Sequence, residues 1–264
     1  MNVDFLILAA GQGKRLKPLT DNIPKGLVRI HNIPIIKNHL IIANKLNIKN
    51  SYIVTGYKAS KIKFPKVKKI YNKDYENTNM VHSLFIALKK VIKNRSDLII
   101  SYSDIIFNET VFKKLLNSKH KFSVICDDSW RKYWSKRFKN ILEDAESCKI
   151  DEKNNIIDIG QKINDYSKID SQYIGLMKFN YKAKKEIYAI LKSEYINNNK
   201  ISSICNKRYA NLYLTDLLQY LILKRNKIKA IRIKGGWVEI DSIKDFNLSL
   251  QITKRENNLI SVFR

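Results

Sequence analysis

Cysteine is scarce in this chain. Its three residues, Cys126, Cys148 and Cys205, are widely spaced and odd in number. They make no C-x-x-C pair and no zinc-ligand pattern, which sets aside a disulfide framework and a cysteine-bound metal. The four histidines (His31, His39, His82, His120) form neither H-x-x-x-H nor H-E-x-x-H, so a metal site here has to be built from oxygen ligands. Long apolar runs are missing too. Phe5–Ala10 is too short for a signal peptide or a membrane span, and Met1-Asn2-Val3-Asp4 lacks a basic leader, so the expectation is a soluble, cytoplasmic protein with no integral-membrane segment. Proline occurs only at 18, 24, 34 and 65, and the proline-free remainder suits long uninterrupted elements. Acidic residues are few, 24 against 50 basic ones, which leaves a net charge of +26. Such a balance can mark a polyanionic partner. The charge is spread along the chain, however, with lysine, asparagine and isoleucine over-used throughout, and no helix-turn-helix, zinc-finger or RNP motif accompanies it. No specific nucleic-acid partner is expected; a general pull on small anions is.

What is present reads as a folded α/β protein, since hydrophobic residues make up 44% of the chain and disorder needs far fewer. Phe5–Ala10 is a continuous apolar run that ends in glycine, the pattern of a buried parallel strand. Helical spacing follows over Ile35–Leu46, then strands at Ser51–Tyr57 and Lys66–Tyr71. An amphipathic helix over Asn79–Asn94 carries a stripe of Val81, Leu84, Phe85, Leu88 and Val91. Asp97–Tyr102 is another buried strand, with a helix at Glu109–Leu116 and a strand at Phe122–Cys126. This alternation predicts a Rossmann-like three-layer fold, a mainly parallel, mixed central sheet flanked by helices. The second half is less regular. Residues 129–147 read as an inserted substrate loop, Lys149–Ile150 and Ile156–Gly160 as a hairpin, Tyr173–Phe179 and Ile228–Lys234 as strands, and Lys182–Glu194 and Leu214–Arg225 as helices. One domain over residues 1–264 is expected, with a nucleotide-binding half over 1–126, an acceptor half over 127–250 and a closing helix over 243–264.

The strongest local signal is Leu8-Ala9-Ala10-Gly11-Gln12-Gly13-Lys14-Arg15-Leu16. A glycine-rich turn after a buried strand lets backbone N–H groups approach phosphate oxygens closely. Two common phosphate loops are excluded: the dinucleotide fingerprint needs a third glycine where this chain has Leu16, and a Walker A loop needs Gly-Lys-Ser/Thr. Two cations follow the turn, Lys14 and Arg15, and nine residues past Arg15 come Pro24-Lys25. Asp104 lies at the carboxyl end of a buried strand, the end that lines the ligand crevice in open α/β sheets. Trp237-Val238-Glu239-Ile240-Asp241 places two carboxylates at i, i+2, on one face if extended. By itself a strand-end aspartate is more often a helix cap or turn residue.

The combination L-A-A-G-x-G-x-R-L with P-K some ten residues on resembles the signature of the nucleotidyltransferase superfamily that activates sugar phosphates and small phosphorylated head groups. The resemblance implies that the glycine loop holds the β and γ phosphates, that Arg15 neutralises the pyrophosphate leaving group, and that Lys25 bridges the α phosphate and the acceptor phosphate. It also implies a Mg²⁺ held by Asp104 and Asp241, helped by Glu239. The nucleotide-binding set is then Leu8, Ala9, Ala10, Gly11, Gln12, Gly13, Lys14, Gly56, Asn79 and Ser83. Asn79 and Ser83 share one face near a helix N-terminus, where they meet ribose or phosphate or simply cap and fill the helix.

Three further segments look more like cytidylyltransferases for phosphocholine, 2-aminoethylphosphonate and phosphoglutamine than like hexose-1-phosphate enzymes. They are Asn77-Thr78-Asn79-Met80-Val81-His82-Ser83-Leu84, the stretch from Asp127-Asp128-Ser129-Trp130 through Trp134-Ser135-Lys136-Arg137-Phe138 to Glu146, and Gln172-Tyr173-Ile174-Gly175-Leu176. The likeness runs from residue 5 to about 250, Glu239-Ile240-Asp241-Ser242 included. It departs at Ile141, where the phosphonate enzymes usually carry proline. On this reading CTP and a small phosphonate or phosphate acceptor are the substrates. Lys136 and Arg137 take the acceptor's oxygens, Asp128, Glu143, Asp144 or Glu146 pairs with its ammonium, Trp130 or Trp134 stacks on it, and Tyr173 and Gly175 complete the acceptor site. UTP or dTTP with a sugar-1-phosphate, and an inactive basic nucleic-acid binder, are the rival readings; a homodimer stays open.

Overall fold

The computed structural model describes residues 2–197 and 201–263. The chain begins with β1 (Val3–Ala9), the small ribbon β2 (Arg29–Ile30) and β3 (Ile33–Pro34), and α1 (Ile35–Lys45). It continues through β4 (Asn50–Thr55), β5 (Lys68–Tyr71), α2 (Met80–Val91), β6 (Asp97–Tyr102), β7 (Ile105–Phe107), α3 (Glu109–Leu116) and β8 (Phe122–Asp127). Next come α4 (Trp130–Arg137), β9 (Glu146–Ile150), β10 (Asn155–Lys162), β11 (Gln172–Phe179), α5 (Tyr181–Ile196) and α6 (Leu214–Leu223). The last elements are β12 (Ile228–Ile233), β13 (Trp237–Glu239), α7 (Ile243–Ile252), β14 (Thr253–Glu256) and β15 (Leu259–Val262).

Nine strands form one mixed sheet in the order β5-β4-β1-β6-β11-β8-β12-β10-β9. The β5-β4-β1-β6 block and the β8–β12 pair are parallel, whereas β11 runs antiparallel to both its neighbours. The expected three-layer α/β fold is therefore present. Period-two alternation divides the core: Phe5 and Ile7 of β1 face a cluster that includes α1 and α3, while Leu6 and Leu8 face α2, α5 and α6. β1 is buried at all seven positions, as a central strand covered on both faces must be. Among the described residues no helix is long and apolar enough to cross a membrane.

Two expectations need correction. The stretch 129–147 is not a loop throughout: α4 forms because Trp130, Tyr133, Trp134 and Arg137 fall on one buried face, a stripe that its interleaved lysines and arginines disguise. The closing helix over 243–264 ends at Ile252, and the chain turns into the β14–β15 hairpin. Asn257 supplies the positive φ (56°) of that turn, a conformation asparagine tolerates better than most residues. The hairpin docks through Asn38 Oδ1, which accepts from the Ile260 N–H at 2.8 Å, and through Asn108, whose amide pairs with both backbone groups of Val262.

Candidate active site

The site is assembled where the glycine loop, the end of β6 and the β7–β13 ribbon converge. After β1 the chain turns through Gly11-Gln12-Gly13 into a 3-10 turn over Lys14–Leu16, anchored by the fully buried Leu16 and by Thr20 Oγ1, which donates to the Gly13 carbonyl at 2.9 Å. Gly13 has φ +67°, and a Cβ there would stand 2.9 Å from the Lys25 Cβ. The position is thus fixed as glycine twice over, by its left-handed backbone and by the lysine stem that crosses it. Gly11, by contrast, has open space where a side chain would be. Lys25 begins a second 3-10 turn after Pro24, and Gly26 lets that turn press against Ile36.

Asp104 and Asp241 are far apart in sequence and meet because β13 pairs with β7 in register, Glu239 opposite Ile105. The Ile240 N–H donates to the Asp104 carbonyl at 2.8 Å and closes that ribbon onto the end of β6. The Lys25 ammonium stands between the two carboxylates, 2.7 Å from Asp104 Oδ2 and in contact with Asp241 Oδ1. The Arg15 guanidinium reaches the other Asp241 oxygen. Asp104 Oδ1 is buried and has no partner among the described residues. A two-carboxylate, all-oxygen set with an unused lone pair suits a hard divalent cation that draws its other ligands from phosphate and water. No group of three or more potential metal-ligating His, Cys, Asp or Glu side chains forms among the described residues.

Two cavities meet at Met80, Tyr102, Asp104 and Asp241. One, of about 270 Å³, is lined by Leu8, Ala10, Gly11, Gly13, Lys25, Tyr75, Thr78, Asn79 and Ser83. Ala9 is buried behind it in the core, and Gly56 backs it, since a Cβ there would strike Tyr75 and the Ala10 carbonyl. Gln12 and Lys14 are placed on the loop outside its walls. Asn79 also caps α2, accepting from the Met80 N–H at 3.0 Å, and Ser83 Oγ lies 3.2 Å from the Asn72 amide.

The other cavity, of about 260 Å³, is lined by Arg15, Asp144, Glu146, Gln172, Tyr173, Ile174, Gly175, Tyr213, Thr215, Trp134, Trp237 and Glu239. It is acidic. Glu146 is exposed at the cavity's mouth, and partial desolvation by the surrounding walls, with the neighbouring Asp144, Asp216 and Glu239, raises its carboxyl to about 7. Burial likewise raises Asp144. Gly175 (φ +82°) has no Cβ, and one would lie 2.5 Å from the Tyr102 ring, so the glycine lets that ring form the floor.

Several residues read from sequence as acceptor contacts lie elsewhere. Asp128, one residue past β8, pairs with Arg232 at 3.0 Å. Trp130 is in the core. Lys136 is on the outer face of α4 and lines a separate surface cavity with Lys132 and Lys234. Arg137 is only 2% exposed in its side chain and is consumed by Asp245 (2.8 Å) and Glu239 (2.6 Å). The same pairing shows why Glu239 stands apart from the two aspartates. Its carboxylate is held by a guanidinium rather than turned toward Lys25, whereas Glu146, Tyr173 and Gly175 do line the acidic cavity. Sequence reasoning passed over Met80, Tyr102 and Trp237, apolar or aromatic residues indistinguishable from core; only Tyr102, two residues before Asp104 at a strand end, carried a positional hint.

Comparison with known proteins identifies the family. The MobA-like NTP transferase domain matches residues 5–155. The chain belongs to that family. It is thus a nucleotidyltransferase. It is 39% identical to the CTP:phosphoglutamine cytidylyltransferase of Campylobacter jejuni, over 94% of this chain and the whole of that protein. It is 24% identical to the choline-phosphate cytidylyltransferase of Streptococcus pneumoniae, over 96% of this chain and 99% of that one. The solved structure of the CTP:phosphocholine cytidylyltransferase from Streptococcus pneumoniae matches the fold with a TM-score of 0.71, at 19% identity and over 96% of this chain and 99% of that one.

Proposed function

We propose that this nucleotidyltransferase moves CMP from CTP to an oxygen of a small phosphate or phosphonate that carries a positive charge at its far end, releasing pyrophosphate. Phosphoglutamine, phosphocholine and 2-aminoethylphosphonate are acceptors of this class. The observation that carries the reading is Lys25 standing between Asp104 and Asp241, at the junction of a glycine-lined cavity and an acidic one. The first cavity offers backbone N–H groups and the Lys25 ammonium to a triphosphate, with Arg15 at its border with the second; the second offers carboxylates to an ammonium.

Two anions have to meet for the reaction to occur, so charge neutralisation and alignment are the protein's task. Lys25 lines the first cavity and contacts Asp104 and Asp241, which border both, so it holds the transferred α phosphate beside the acceptor's oxyanion. Arg15, paired with Asp241 but 69% exposed in its side chain, swings from that carboxylate onto the departing pyrophosphate. The acceptor oxygen is already ionised near neutral pH, so the attack is direct and in line, with no general base and no covalent intermediate. Asp104 and Asp241 are the residues that would hold Mg²⁺, whose chemistry when bound is to neutralise phosphate charge. The test is pyrophosphate release from CTP, UTP, dTTP and ATP against a panel of amine-bearing phosphates and sugar-1-phosphates. Turnover confined to CTP and amine-bearing acceptors is expected; preference for UTP or dTTP with a sugar-1-phosphate would sink the reading.

A further inference from the structure

Four residues line both cavities: Met80, Tyr102, Asp104 and Asp241. The border they make has two unlike edges. Asp104 and Asp241 form a charged one, where Lys25 and, at Asp241, Arg15 are paired. Met80 and Tyr102 form the other, which carries no charge. Three tyrosines follow the same division. Tyr75 lines the glycine-walled cavity but not the acidic one, Tyr213 lines the acidic cavity but not the other, and Tyr102 lines both.

The Tyr102 ring is fixed by what lies beneath it. Tyr102 ends β6 and stays partly exposed there. A Cβ on Gly175 would stand 2.5 Å from the ring, so the ring rests directly on the backbone of β11. Tyr173, two residues earlier on that strand, meets it edge to face, with centroids 6.0 Å apart and planes at 85°, an arrangement that aromatic pairs favour. A side chain with only two torsions, seated on backbone and braced by a second ring, is a rigid surface that loses little freedom when a ligand packs on it.

We propose that Tyr102 is a positioning residue shared by both substrates. Its ring is the common floor on which the nucleotide and the acceptor each pack, so that their reacting groups arrive side by side at the charged edge. This rests on the cytidylyl-transfer reading above and deepens it. Alignment of two reactants contributes to the rate only if both are held in one frame, and a single rigid ring bordering both cavities supplies that frame without touching the phosphates.

Steady-state kinetics with CTP and, in turn, phosphoglutamine, phosphocholine and 2-aminoethylphosphonate test this. Tyr75→Ala should raise the KM for CTP alone and Tyr213→Ala the KM for the acceptor alone. Tyr102→Ala should raise both, each by about tenfold, the scale of one lost aromatic contact. Tyr102→Phe keeps the ring and should stay within about threefold of wild type on both. A merely structural role would reduce the amount of active enzyme, lowering kcat and leaving both KM values in place. Gly175→Ala drives a methyl group into the ring and should reproduce the double rise. In the Tyr102→Ala background it should add less than about threefold, because the atoms it strikes are gone. Tyr102→Leu, which keeps more of the bulk, carries the same test should the alanine variant not fold. A rise in only one KM on truncating Tyr102, or a Gly175→Ala cost that is the same with and without the ring, overturns the shared floor. A wild-type enzyme that turns over CTP with none of the three acceptors overturns the cytidylyl-transfer reading instead.

Discussion

The cavity proposed for the nucleotide and the one proposed for the acceptor, here the nucleotide side and the acceptor side, are built in opposite ways. The nucleotide side is local: one glycine turn directly after the central strand β1 supplies most of the wall, and Lys25 arrives a dozen residues later. The acceptor side is gathered from α4, β9, β11, α6 and β13, elements whose connections carry no recognisable motif. The first side presents backbone and the Lys25 ammonium, the second carboxylates and rings, with Arg15 at its edge. A triphosphate is constant chemistry and can be met by a fixed turn, whereas an acceptor is met by side chains that can change one at a time.

Substitutions on the nucleotide side should therefore act on the rate itself. Lys25→Ala is expected to lower kcat by about 10²- to 10³-fold with a smaller change in the KM for CTP, the scale seen when one transition-state charge contact is removed. Single-turnover release of pyrophosphate reads this directly, and an unchanged rate would remove Lys25 from the chemistry. The largest effect expected on the acceptor side is structural. Arg137 is charged despite burial because Glu239 and Asp245 outweigh the cost of desolvation. Asp245 in turn accepts from the backbone N–H of Asp241 and Ser242 at 3.2 and 3.0 Å. Arg137→Met leaves two carboxylates without their counter-charge and should cost about 3–5 kcal/mol in urea unfolding. A loss below about 1 kcal/mol would mean that the guanidinium is not the link between α4 and α7.

The same contrast decides how much was legible in the sequence. The strand-helix alternation, Gly13, Lys25, Asp104 and Asp241 could be read because glycine turns, strand ends and short spacings are local. The β7–β13 ribbon that joins Asp104 to Asp241 could not, since strands of three residues leave no periodic trace. Lys136 and Arg137 are adjacent in sequence and were assigned one task, but a helix turns about 100° per residue. One points out beside Lys132; the other is sealed beneath α4. Trp134 and Trp130 are four apart on that helix, yet only Trp134 reaches the cavity wall.

A milder effect is expected at Gly13. Alanine there meets both a positive φ and the Lys25 stem, so Gly13→Ala should destabilise by about 1–2 kcal/mol and lower kcat together with it. Gly11→Ala, with nothing within 4 Å, should leave thermal unfolding within about 1 °C of wild type, on the scale of a neutral surface change. Equal losses at the two glycines would show that the loop is not shaped by the lysine crossing it.

The acceptor side should also respond to pH in a way the nucleotide side does not. Glu146, raised to about 7, carries its charge only as the pH climbs through that value. In the free protein this is a small penalty, because a carboxyl whose folded pKa exceeds its unfolded one loses stability as pH rises from the usual glutamate range to about 7. An ammonium in the cavity reverses the preference, drawing the carboxylate form. The KM for an amine-bearing acceptor should therefore fall as pH rises from 6 to 8 and level off above, while the KM for CTP follows no such curve. Glu146→Gln should flatten the acceptor profile, and a profile that survives the substitution would assign the titration to Asp144 instead, whose carboxyl burial also raises.

The smallest effect expected is at Lys136. Its side chain borders a surface cavity of about 460 Å³ with Lys132 and Lys234, on the side of α4 away from the acidic cavity. On the proposed reading an acceptor beside Glu146 turns its phosphate toward Lys25, and its oxygens then need no ammonium behind the helix. Lys136→Ala should change acceptor kcat/KM by less than about twofold, within the range of a surface substitution. A tenfold loss in KM for the acceptor would place the phosphate outside α4 and break the division between the two sides on which the site is built.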